Sequence, residues 1–64
     1  MDYTEAEIEL LESKGFDIFQ SNRAVFDTLW LIKGVDGMIS VASGSTPYDK
    51  KFESVDGALK EMKF

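Results

Sequence analysis

The sequence predicts an α+β domain of the order α-β-β-β-α, in which a three-stranded antiparallel sheet carries two helices packed on one face, with residues 1–64 forming a single domain. Three observations predict it. The stretch from Tyr3 to Gly15 holds nearly every helix start and stop signal. From Phe16 the apolar spacing shortens into β-rich runs bounded by turn residues. After Ser54 the helical spacing returns.

The first helix is expected over about residues 5–14. Thr4 is a good N-cap and Glu7 stands three residues on, which makes a capping box. Tyr3 and Ile8 are placed for a hydrophobic staple across that cap. Glu5 and Glu7 lie in the first turn, where the helix dipole favours acids. Lys14 closes the last turn, Gly15 is a left-handed ending, and Phe16 can fold back on Leu11. Ile8 and Leu11 form the inward stripe, with Leu10 beside it.

Three strands follow, at about 16–21, 24–33 and 38–43. "FDIFQ" is short, aromatic and β-branched, and Ser21, Asn22 and Arg23 supply a turn. Asp36-Gly37 between two apolar runs is a strong hairpin signal. Gly44, Ser45, Thr46 and Pro47 mark a loop over 44–51. Ser54 caps a second helix over about 55–63, in which Val55, Ala58, Leu59 and Met62 share one face. Gly57 inside it costs roughly 1 kcal/mol against Ala.

An even loop at Asp36-Gly37 settles which side chains share a face. Phe26, Trp30, Ile32, Ile39 and Val41 then lie together and face the helices. Val25, Asp27, Leu29, Leu31, Lys33, Met38, Ser40 and Ala42 form the outer face. On it, Val25, Leu29, Leu31 and Met38 make an apolar patch that is either covered by the 44–52 segment, through Tyr48 or Phe52, or held by a partner.

Composition narrows the function. The net charge is −5, with 12 acids against 7 bases, Arg23 as the sole arginine, and neither Cys nor His. Disulfides, thiolate sites and histidine catalysis are therefore excluded, and no cofactor or metal is expected. The acidic balance argues against direct nucleic-acid binding and against anionic membranes. No apolar run is long enough to span a bilayer, and no signal segment is evident, so the cytoplasm is the expected location. Ser45 and Lys50 form no credible nucleophile–base pair, because nothing desolvates the lysine. The loop carboxylates Asp49 and Glu53 have two lysines between them, unlike a calcium loop. No catalytic activity is expected.

Binding is the remaining chemistry. Glu5, Glu9 and Glu12 recur at i, i+4 and i+7 and make one acidic ridge, either a solvated face or a dock for a basic partner. Tyr48 between Pro47 and Asp49 suits an interface anchor or a packing residue.

In topology the chain resembles a double-stranded-RNA-binding domain, but Asp56 stands where such domains place bases, so that function is not implied. In size, charge and element order it resembles small acidic inhibitors of phages and mobile elements, of the anti-CRISPR or anti-restriction type. Glu5, Glu7, Glu9 and Glu12, with Asp17, Asp27 and Asp49, carry the resemblance. It implies a non-enzymatic protein that docks on a basic, nucleic-acid-binding surface of a host protein, in the host cytoplasm. The alternative is a homo-oligomer, at its simplest a homodimer, pairing through the outer sheet face.

Overall fold

The computed structural model describes residues 1–43 and 46–64, and the side chains of these outside 46–50. Its elements are α1 (Glu5–Ser13), β1 (Asp17–Gln20), β2 (Arg23–Phe26), β3 (Leu29–Lys33), β4 (Ile39–Ser43), β5 (Thr46–Phe52) and α2 (Val55–Glu61). The α+β class holds, but the sheet has five strands in the order β1-β2-β3-β4-β5, each antiparallel to its neighbours, where three were expected.

Two departures account for the extra strands. The expected strand over 24–33 breaks at Asp27-Thr28 into β2 and β3, which pair Phe26 with Leu29 across a two-residue turn. Asp27 takes φ 56°, the left-handed conformation that hairpin turns of this length require and that aspartate tolerates better than most residues. The expected loop over 44–51 is largely strand: β5 lies along β4, with Ile39 opposite Phe52 and Ser40 opposite Lys51. Residues 44–45 of that loop, and the Ser45 considered with it, lie outside the described residues.

Both helix starts are built as the sequence suggests. The Thr4 hydroxyl accepts from the Glu7 backbone N–H at 3.2 Å, and a Glu7 carboxylate oxygen accepts from the Thr4 N–H at 2.7 Å. The Ser54 hydroxyl accepts from the Gly57 N–H at 3.0 Å.

The two helix ends use one device twice. After α1, Lys14 is the C-cap rather than a last-turn residue, and Gly15 turns left-handed at φ 95°. The Phe16 N–H then reaches the Leu11 carbonyl at 3.0 Å and the Gly15 N–H reaches that of Glu12 at 3.0 Å, a Schellman ending. After α2, which stops at Glu61 short of the expected 63, Lys63 turns left-handed at φ 65° and the Phe64 N–H reaches the Leu59 carbonyl at 2.9 Å. Each ending delivers a phenylalanine to the same spot. Phe16, Phe26 and Phe64 form a ring cluster with centroids 5.0 to 5.6 Å apart.

The core lies between the sheet and the helix pair. Leu11 from α1 and Val55, Ala58 and Leu59 from α2 pack on Ala24, Leu31, Ile39, Val41 and Phe52. These side chains alternate with outward-facing ones along each strand, so one face of the sheet is covered by helices and the other is open.

The face assignment is opposite to the expected one for β3. Lys33 pairs with Ile39 and Leu31 with Val41, so the hairpin loop is odd. The Gly34 N–H donates to the Met38 carbonyl at 2.9 Å, which leaves a three-residue loop of Val35, Asp36 and Gly37. Gly37 takes φ 81° while Asp36 does not turn left-handed, so the strained conformation falls on glycine alone. A two-residue type I′ turn would require it at both loop residues. The one-residue difference puts Leu29, Leu31 and Lys33 under the helices and sends Trp30 and Ile32 outward.

A buried lysine on the core face is stabilised locally. Lys33 is 7% exposed and its ammonium donates to a Glu7 carboxylate oxygen at 2.6 Å. Tyr3 lies beside it, with its hydroxyl donating to the Leu31 carbonyl at 2.6 Å. Burial, with the nearby Glu7 carboxylate second, pushes the Tyr3 hydroxyl well above the usual tyrosine range, which keeps it a donor. Glu7 itself is pushed up by burial, but the bonds from Lys33 and from the Thr4 N–H outweigh this and hold it below the usual glutamate range.

Candidate functional site

The open sheet face is built from the outward positions of β1 to β5. Paired residues across neighbouring strands point the same way, so the register sorts them into two rows. One row runs Gln20, Arg23, Ile32, Ser40 and Lys51. The other runs Asp17, Val25, Trp30 and Ala42. Phe19 sits between the rows on β1, where the pairing slips between Ile18 and Gln20. That irregularity releases its ring from the ladder. The Phe19 ring meets Trp30 edge-on at 5.4 Å between centroids.

Phe19 is 62% exposed, and Val25, Trp30 and Ile32 around it are half-buried. Charges sit at the margins: Asp17 and Arg23 beside the apolar group, and Lys51 at the far strand, 3.8 Å from Asp36. Among the described residues, Asp17 and Arg23 have no ion-pair partner.

The residues expected to bind a partner are distributed differently. Val25 does face outward, half-buried. Leu31 is fully buried and Leu29 packs against the core, so neither contributes to the outer patch; the odd loop removes them. Met38 lies in the turn before β4, half-buried, with its N–H donating to an Asp36 carboxylate oxygen at 3.0 Å. Phe52 does not lie over the outer face but is buried in the core. The Tyr48 and Asp49 side chains lie outside those described. Glu5, Glu9 and Glu12 are all exposed on α1. The acidic ridge therefore stands on the helix layer, apart from the open sheet face.

Phe19, Trp30 and Ile32 are the residues that sequence reasoning missed. Even-loop parity puts Trp30 and Ile32 in the core, and Phe19 reads in the sequence only as part of a strand. For Trp30 and Ile32 the signal is the loop length at Gly34–Met38, which the sequence leaves open; for Phe19 it is the slip in pairing between Ile18 and Gln20, which no local residue marks.

Among the described residues there is no cluster of three or more metal-ligating side chains and no pocket. No helix of the described chain is long and apolar enough to cross a membrane. Comparison of the chain with protein-family models, with curated proteins and with solved structures gives no match.

Proposed function

We propose that the chain is a non-catalytic protein-binding domain and that its open sheet face is the contact surface. The observation that carries this reading is Phe19, 62% exposed and set edge-on against Trp30 on a face no helix covers. A large apolar ring held in water by its own fold is a feature of contact surfaces. The rows around it support the reading, since they set apolar and aromatic side chains beside charged ones, as contact surfaces do.

In its fuller form the reading assigns the Glu5, Glu9 and Glu12 ridge to a second contact, on a basic surface of a nucleic-acid-handling protein. The resemblance to small acidic inhibitors supports that assignment. The exposure of all three carboxylates is consistent with it.

A photo-crosslinking residue placed at Phe19 tests the reading in the producing cell. Crosslinking to a polypeptide is expected, and it should vanish in a folded Trp30→Asp variant. A folded protein that crosslinks to no polypeptide, or does so equally with Trp30 replaced, would overturn it.

A further inference from the structure

We infer that the occupant of the open face is a second copy of this chain, stacked sheet on sheet about a two-fold axis. The inference rests on the protein-binding reading above and names its partner. Three features of the face select self-pairing.

The first is charge placement. The two rows carry opposite isolated charges: Arg23 in one and Asp17 in the other, on neighbouring strands. A two-fold axis lying in the face, across the strands and between the rows, sets each row over the opposite row of the partner. Arg23 then stands over the partner's Val25, one strand away from the partner's Asp17. That strand spacing is about 4.8 Å and stacked sheets lie about 10 Å apart, a gap that an arginine and an aspartate span together. The symmetry makes the contact twice.

The second is the apolar centre. The same operation places Trp30 over the partner's Ile32 and brings the two Phe19 rings together at the axis. The third is size. A face of five strands is about 24 by 17 Å, or about 400 Å² in plan for each copy. Counted over two copies, with side-chain relief added, it reaches the ~1,000 Å² at which specific interfaces begin. Small interfaces of this size belong to weak complexes, and a dissociation constant of about 10–100 µM is the range the experiment tests.

Sedimentation equilibrium on the full chain tests this with three variants checked for folding by circular dichroism. Wild type should self-associate in the stated range. Arg23→Asp and Asp17→Arg should each weaken the dimer at least about tenfold, since each removes two charge pairs and creates two like-charge contacts. The double exchange should recover to within about threefold of wild type. Net charge alone predicts a different pattern: Asp17→Arg takes −5 to −3 (−5 + 2) and would strengthen association, while Arg23→Asp takes −5 to −7 (−5 − 2) and would weaken it. A strictly monomeric wild type, or a stronger dimer in Asp17→Arg, overturns the inference. If the crosslinker at Phe19 then still captures a different polypeptide in a Trp30-dependent way, the protein-binding reading stands and only the second copy is excluded.

Discussion

Lys33 shows how one residue can defy its composition class. A lysine in a small core is tolerated here because Glu7, Tyr3 and Leu31 surround it with an acceptor, an aromatic face 6.0 Å from the ammonium, and aliphatic bulk. The capping box explains why Glu7 is available: the same carboxylate oxygen that bonds the Thr4 N–H accepts from Lys33. Glu7→Gln should cost about 2 kcal/mol at pH 7, because it leaves a buried ammonium with a weaker acceptor. The sign of the pH dependence follows from the lowered pKa of Glu7. Ionised Glu7 favours the folded chain, so its contribution is complete above the ordinary value of 4.5 and is lost as the pH falls through the lowered one. Urea unfolding of wild type and Glu7→Gln should therefore differ at pH 7, and the gap should narrow as the pH falls below the ordinary glutamate value and through the lowered one.

At the scale of elements, the helices were legible and the sheet was half legible. The capping roles of Thr4, Glu7, Gly15 and Ser54 are local, within four residues, so that part of their chemistry can be read along the chain. The sheet depends on parity, which a local signal does not set. Asp36-Gly37 correctly marks a hairpin, yet two loop lengths fit it, and they send Trp30 and Leu31 to opposite faces. Asp27-Thr28 has no glycine, so the break that separates β2 from β3 is hidden inside an apolar run. The candidate site inherits both uncertainties, which is why Val25 was found on the open face and Phe19 and Trp30 were not. The paired helix endings make a direct comparison. A Cβ on Gly15 would meet the Phe26 ring at 3.0 Å in a left-handed backbone, so Gly15→Ala should lose more than about 1 kcal/mol. Lys63 already bears the left-handed strain, so Lys63→Gly should gain about 1 kcal/mol. Thermal melts of the two variants should move in opposite directions.

The whole molecule is two layers with one of them bare. A 64-residue domain without disulfides has little stability in reserve, and the proposed pairing of two open faces would add to it. Folding then becomes concentration-dependent: raising the chain from about 10 µM to about 1 mM should raise the melting temperature by about 5 °C, as differential scanning calorimetry would read. A concentration-independent melt would show that the monomer is the stable unit. The position of the acidic ridge bears on what such a pair could do. Glu5, Glu9 and Glu12 stand on the helix layer, across a molecule whose shortest extent is 21 Å from the face that would be joined. The proposed face-to-face pairing would leave the two identical ridges on the two outer helix layers of the pair. Such a pair would present its ridges to separate targets, and its gain in avidity would go to targets that are themselves repeated or clustered.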